Sequence, residues 1–436
     1  MVKTKTTFVC QQCGYQSPKW QGRCPQCGAW NSFEETQLVV ASKKRTSLVE
    51  AKAVKFSEIK IYQKERASTG IGELDRVLGG GITPGSVTLL AGEPGIGKST
   101  LLLQLSEALS RHSVYYVCGE ESPEQIKIRA ARLKVRGENL LLLPATDVDE
   151  IIASLGNLSR GSVVVVDSIQ TLATQDLAGA AGSIGQVRES AARLIGFAKK
   201  KAVSMFLVGH VTKSGAIAGP KVLEHAVDTV IYFEGDQYSQ LRLLRSAKNR
   251  FGATGEVGVF LMSASGLMPV DNPSKIFLSS FQRPVAGVVK TVLLKGTRPL
   301  ILEVQSLVTQ TNLAYPRRLA KGVSRNKLEL YVAILQKHLG LPLYKEDVIL
   351  NIAGGVKSEE PAVDLASCLS IWSSYKDKVI GSEVIAFGEV GLLGEIRPTS
   401  QEERRIAEAK RLGYKKIISS KNASSLQGAI KIIFGE

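Results

Sequence analysis

Short apolar runs, each closed by a polar residue or a glycine, recur through the first half of the chain. Residues 86–91, 114–117, 140–143, 163–166 and 205–208 are rich in Val, Leu and aromatic side chains and too short for helices. Runs of this length with β-branched residues predict strands buried on both faces. Between them, 101–105, 123–133 and 186–200 read as helical. Strands alternating with helices predict an α/β unit whose parallel sheet is covered by helices. Past Asp271-Asn272-Pro273-Ser274 the rhythm changes. Strands are predicted near 286–294 and 300–308, a helix over 327–339 and a strand over 347–352. Ala362, Leu365, Ala366, Leu369 and Trp372 share one helical face. A strand at 383–390, a helix at 401–412 and a strand at 415–419 complete an α+β domain of ordinary size. Residues 36–66 carry Lys43-Lys44-Arg45 and little periodicity, and read as a basic linker.

The first strand runs into Gly92-Glu93-Pro94-Gly95-Ile96-Gly97-Lys98-Ser99-Thr100, which fits G-x-x-x-x-G-K-[ST] and opens a helix. Strand, glycine loop and helix together are the context a P-loop requires. Its backbone N–H groups curl around phosphates, and the helix N-terminus adds its positive dipole end. Lys98 is expected to reach the β- and γ-phosphates of a nucleoside triphosphate, and Ser99 to hold Mg²⁺. Asp167 closes the four-valine run, where a carboxylate orders the magnesium water shell. Glu120 follows another strand tip and is expected to polarise the attacking water, ahead of its neighbour Glu121. His210 ends a third strand, where it could sense the γ-phosphate. Strand tips of a parallel sheet share one edge, and ligands bind there.

Composition changes the picture in two places. The net charge of +16 favours a polyanionic partner, whose counterions are released on binding. The six cysteines point to metal before disulfides, because neither a signal peptide nor an apolar run long enough to cross a membrane is read, and a cytoplasmic location follows by default. Cys10-x2-Cys13 and Cys24-x2-Cys27 form two Cys-x-x-Cys-Gly knuckles, the spacing of a four-thiolate Zn²⁺ site that supplies folding energy to a segment with almost no core. Zinc there serves either as a structural clip or as the frame of a docking surface. Tyr15, Lys19, Trp20, Arg23 and Trp30 lie between and beside the knuckles, suited to stacking bases and meeting phosphates. Cys118 and Cys368 stand apart and read as buried small side chains.

Thr69-Gly70-Ile71-Gly72-Glu73-Leu74-Asp75, the P-loop, the run ending in Asp167, and Gly209-His210-Val211-Thr212-Lys213 together resemble the RecA-type ATPase core. Within that group, Lys248-Asn249-Arg250-Phe251-Gly252 resembles the KNRFG motif of the bacterial RadA/Sms family of DNA repair and recombination proteins. The order is similar too. A C4 zinc motif (1–35) and the linker (36–66) precede a RecA-type motor (67–270) and a domain like that of Lon protease (271–436). The resemblance implies an α/β RecA-type P-loop ATPase core with an N-terminal zinc ribbon and a C-terminal α+β Lon-protease-like domain. It implies ATP, Mg²⁺ and Zn²⁺ as cofactors, and DnaB-like hexameric rings on single-stranded DNA that promote branch migration of recombination intermediates with the RecA recombinase. It also assigns residues. Lys248 and Arg250 would reach into the neighbouring subunit's ATP site, where the guanidinium fork suits phosphate oxygens. Residues 176–186 and 213–221 would be channel-facing loops, with Lys213 and Lys221 on DNA phosphates.

In the Lon-like domain, the position of the catalytic serine holds Ala362 and that of the lysine holds Glu403, with Lys357 and Ser358 near but outside the dyad. Peptide hydrolysis is not expected. Ring assembly and a basic DNA surface through Lys345, Arg404, Arg405 and Lys410 are. Two other readings use the same parts: an ATP-dependent protease or protein-remodelling factor of Lon type, and a RecA-like strand-exchange filament.

Overall fold

The computed structural model describes residues 3–10, 15–26, 28–40, 55, 66–177, 179–210, 220–235, 240–274, 278, 284–313, 315–353 and 358–435. The chain divides into two compact units, Met1–Val270 and Asp271–Glu436.

The first unit opens with a small antiparallel sheet in the order β2-β1-β3, built from β1 (Lys3–Cys10), β2 (Gln16–Ser17) and β3 (Phe33–Val40). Here the expected linker begins too early. β3 runs to Val40, paired with Lys3, because Thr36 and the apolar 38–40 extend the ladder past residue 36. The basic cluster 43–45 lies outside the described residues.

Nine strands follow in one sheet: β4 (Val87–Gly92), β5 (Val114–Cys118), β6 (Leu140–Leu143), β7 (Val163–Asp167), β8 (Ser204–His210), β9 (Thr229–Gly235), β10 (Leu241–Asn249), β11 (Val257–Ser263) and β12 (Gly266–Pro269). Their order is β12-β11-β10-β9-β4-β8-β7-β5-β6. The stretch from β9 to β6 is parallel. β10, β11 and β12 extend it antiparallel, an addition the sequence reading lacks. The connections after β10 and β11 are too short for a crossover helix, so hairpins are the only way to continue.

The helices of this unit are α1 (Gly72–Leu78), α2 (Lys98–Ala108), α3 (Pro123–Arg132), α4 (Val148–Ser154), α5 (Ile184–Lys201) and α6 (Pro220–Glu224). The valines of β7 show why both sheet faces need cover. Val163 and Val165 join the core packed by α2, while Val164 and Val166 join the core packed by α4 and α5. Successive side chains on a strand point to opposite faces, so an unbroken valine run suits no other position.

The second unit carries β13 (Val288–Lys295), β14 (Arg298–Gln310), β15 (Arg318–Lys321), β16 (Glu346–Ile352), β17 (Val384–Ala386), β18 (Glu389–Val390), β19 (Ile396–Arg397) and β20 (Lys416–Ile418). Six of these form a mixed sheet, β15-β16-β14-β13-β17-β20, and β18 pairs with β19. Its helices are α7 (Arg325–Leu339), α8 (Asp364–Lys376), α9 (Glu402–Arg411) and α10 (Leu426–Phe434). The expected strand over 383–390 is broken in two. The chain turns away at Gly388, where a Cβ would sit 2.9 Å from the Ile396 side chain. β15 and α10 are further additions.

One expected surface residue is interior. Arg405 is 0% exposed and donates to the carbonyls of Ser400 and Val292 and to the Glu360 carboxylate. It faces the sheet on the inner side of α9, whereas Arg404, Lys410 and Lys345 remain exposed.

Candidate functional site: a phosphate cradle at the strand tips

β4 ends at Gly92, and the chain turns tightly beneath Phe233, whose carbonyl would lie 2.7 Å from any Cβ at position 92. Gly97 sits at φ +117° before α2, and a Cβ there would meet the Met262 methyl at 2.6 Å. The Phe233 carbonyl at position 92 and the left-handed φ at position 97 restrict both to glycine. The result is a glycine-rich backbone loop at the start of α2.

Lys98 lies inside this loop, 4% exposed. Its ammonium donates to the carbonyls of Gly92 and Glu93, both at 2.9 Å, and approaches His210 Nδ1 at 3.1 Å. Burial pulls its pKa from 10.5 to about 8, against the opposing pull of the Asp167 and Glu120 carboxylates. His210, the last residue of β8, uses its other nitrogen to meet Glu120 Oε1 at 2.9 Å. Ser168 also donates to that oxygen. The His210 hydrogen bond, helped by Ser168 and by the charges of His210 and Lys98, brings Glu120 down from 4.5 to about 2, although burial opposes it. Glu120 is therefore a carboxylate at every physiological pH. Glu121 instead pairs with Arg129 on α3.

Asp167 is buried at the end of β7 and accepts a hydrogen bond from the Tyr116 hydroxyl. Ser99 bonds to the same phenol, so Tyr116 gathers the hydroxyl and the carboxylate expected to share Mg²⁺. Burial, and after it the Asp167 charge, raises the Tyr116 pKa well above its ordinary value, which keeps it a donor. These groups line a cavity of about 340 Å³, together with Pro94, Gly95, Thr100, Ile126, Arg129 and Arg132. A backbone-amide loop, one ammonium, and a hydroxyl facing a carboxylate fit a magnesium nucleoside triphosphate.

Lys98, Ser99, Glu120, Asp167 and His210 thus meet around one cavity. Tyr116, Arg129 and Arg132 join them without having been expected, and Ser168 supports Glu120 from behind. The hint in the sequence was the Tyr115-Tyr116 pair inside β5. Lys248 and Arg250 are elsewhere. Asn249 pairs with Thr229, which pairs with Thr88, four residues before Gly92. That places the end of β10 about 13 Å down the sheet from the cradle.

Of the expected channel loops, Lys213 and the side chain of Lys221 lie outside the described residues. Residues 176–186 are less irregular than expected, since α5 begins at Ile184. The buried Gln186 holds the rest in place. It accepts from the Thr174 amide at 2.8 Å and donates to the carbonyls of Thr174 at 3.1 Å, Leu177 at 2.5 Å and Gly179 at 3.3 Å.

In the N-terminal sheet, Cys10 and Cys24 are buried in one small cluster with Phe33. The amide of Cys10 bonds to the Tyr15 carbonyl at 2.9 Å, and Gly28 N closes a turn on Cys24 O at 2.9 Å. Two buried thiols opening tight turns in so small a core fit half of a thiolate zinc site. Cys13 and Cys27 lie outside the described residues. Trp20 and Trp30 are 54% and 72% exposed, and the Arg23 guanidinium lies 5.7 Å from the Trp30 ring centre.

Residues 8–35 match a rubredoxin metal-binding domain and 56–216 an AAA domain. The DNA repair protein RadA of Bacillus subtilis is 46% identical over 99% of this chain and 95% of its own length. The chain belongs to the RadA family of DNA repair proteins. RadA proteins of Synechocystis and of Streptococcus pyogenes serotype M1 are equally similar, at 46% over 99% and 98% of this chain and 92% and 95% of theirs. Among solved structures, one described as an ATPase domain aligns with 47% of this chain and 90% of its own at a TM-score of 0.40 and 15% identity. Within this RadA chain, the AAA match contains the cradle, Glu120, Asp167 and His210, and ends before Lys248. Among the described residues, no helix is long and apolar enough to cross a membrane.

Proposed function

We propose that this P-loop ATPase of the RadA family is a motor on single-stranded DNA. It works as a ring, most simply a hexamer, and moves the branch points of recombination intermediates alongside the RecA recombinase. The observation that carries the reading is the separation of Lys248 and Arg250 from the cradle. Cations about 13 Å down the sheet do not serve a nucleotide held by their own Lys98, but at a subunit boundary they serve a neighbour's.

Within one subunit, the glycine loop and Lys98 hold the β- and γ-phosphates, and Ser99 with Asp167 would hold Mg²⁺. The metal supplies positive charge where the leaving oxygens become negative. Glu120, permanently ionised, orients and polarises the attacking water after exchanging one of its present partners. His210 links that carboxylate to Lys98 and ends the strand that leads into 211–219, so phosphate occupancy and the nucleic-acid segment are adjacent in the chain. Arg250 in trans stabilises the transition-state charge. Lys213 and Lys221 meet the DNA backbone.

Proteolysis forms no part of the proposal. Ala362 offers no nucleophile, and Glu403, 79% exposed at its side chain, pairs with Lys421. Steady-state ATP hydrolysis, with and without single-stranded DNA and at low and high salt, tests the reading. Stimulation that fades with salt is expected, and Lys98→Ala should abolish turnover in a folded protein. Hydrolysis indifferent to DNA would turn the reading towards a motor acting on protein.

A further inference from the structure

The C-terminal end of β10 carries two cations whose partners lie in one short turn. Lys248 Nζ donates to the main-chain carbonyls of Glu224 at 2.7 Å, His225 at 3.2 Å and Val227 at 2.8 Å. Arg250 Nη1 reaches Asp228 Oδ1 at 3.5 Å, and its amide donates to Asp228 O at 3.1 Å. Asp228 is itself buried, with its other carboxylate oxygen accepting the amide of Val87, the first residue of β4. Lys199, in the last turn of α5, draws on the same Oδ1 at 3.7 Å. Residues 224–228 therefore hold both cations at once. They also join α6 to β9.

Lys248 has its three ammonium donors committed to these carbonyls, and the Asp228 charge holds the Arg250 guanidinium beside the turn, so carrying either cation to a distant phosphate costs whatever the resting contact was worth. We propose that Asp228 is a positioning residue that holds Arg250 at rest, and that the 224–228 turn must give way for the Lys248–Arg250 pair to be released when the motor engages nucleic acid. The inference rests on the reading above, in which this pair serves the neighbouring subunit's nucleotide. At rest the hold slows hydrolysis. Displacement of the turn frees the carbonyls and the carboxylate from both cations together. Lys199 tunes the hold because it competes with Arg250 for one oxygen.

Asp228→Asn keeps an acceptor for the Val87 amide and removes the charge. Hydrolysis without DNA should then rise roughly two- to fivefold, the range a part-exposed ion pair supports, and stimulation by single-stranded DNA should shrink by the same factor. The rise should vanish in an Arg250→Ala background. Lys199→Ala leaves Asp228 to Arg250 alone and should do the reverse, with a lower basal rate and a larger stimulation ratio. A merely structural Asp228 would lower both rates together and leave the ratio unchanged, which overturns the proposal. Rings co-assembled from Lys98→Ala and Arg250→Ala chains separate the two levels of the argument. Recovered hydrolysis with an unchanged Asp228→Asn ratio overturns this inference alone. No recovery overturns action in trans, and the inference with it.

Discussion

Lys98 is a charged group kept in a place that disfavours its charge, and phosphate is what relieves it. With its pKa near 8 in the cradle itself, protonation of Lys98 is linked to nucleotide binding. The sign follows directly. Bound phosphate raises the lysine pKa, so below pH 8 the ammonium is present in both states and affinity is flat. Above pH 8 the empty protein loses the proton that the complex keeps, and affinity falls towards about tenfold per pH unit. Nucleotide titrations from about pH 7 to about pH 9.5 should show that break, and Lys98→Arg should remove it because arginine stays protonated throughout. A slope without a break near pH 8 would place the titration on another group. How much of the cradle could be read in advance follows the same local logic. Lys98, Ser99, Glu120, Asp167 and His210 sit at a motif or at the end of an apolar run, and strand tips of a parallel sheet converge. Tyr116, Arg129 and Arg132 reach the cavity only through side-chain direction and tertiary packing, which a run of residue types does not record.

Single elements carry more of the stability than their sequence suggests. Gln186 is one polar residue on α5, yet it satisfies four main-chain groups of the 174–179 segment. Gln186→Leu conserves volume and strands those groups, at about 1–3 kcal/mol for each that water cannot reach. A lower thermal midpoint, with faster amide exchange confined to 174–180, is the expected outcome. In α9, Arg405 lies beneath the helix, and burial brings its pKa down to about 10. Arg405→Met leaves Glu360 without its buried partner and should cost about 3–5 kcal/mol, while Glu360→Gln together with Arg405→Met should recover part of it. Denaturant midpoints of the two variants decide this, and equal midpoints for the single and double variants would show that the pair is not coupled. Both residues also explain where the sequence misled. In α9, Arg404 and Arg405 differ by one helical position and nothing in composition says which of them turns inward. The antiparallel β10–β12 extension was missed for a related reason. Its strands alternate weakly, and their partners are fixed by hairpin length, not by residue type.

At the scale of the whole molecule, the charge excess of +16 is spread over parts with different tasks, and salt can separate them. Each lysine that neutralises a phosphate of single-stranded DNA releases counterions, and contributes about −0.7 to the slope of log affinity against log salt. Lys345 and Lys410 belong to the second compact unit and are exposed. If that unit lends a basic DNA surface to the motor, Lys345→Ala with Lys410→Ala should flatten the slope by about 1.4 while leaving hydrolysis without DNA unchanged. The N-terminal sheet gives the contrasting case. Cys24 belongs to a small core of its own, and none of the described residues from 3 to 40 lines the nucleotide cavity. Cys24→Ser should therefore release zinc while nucleotide affinity stays intact, and its DNA affinity shows whether the exposed Trp20 and Trp30 stack on nucleic acid. Stacked bases contribute affinity with little salt dependence. A ribbon that binds DNA would thus lose affinity at a constant slope, whereas a ribbon that only docks protein would leave both affinity and slope where they were.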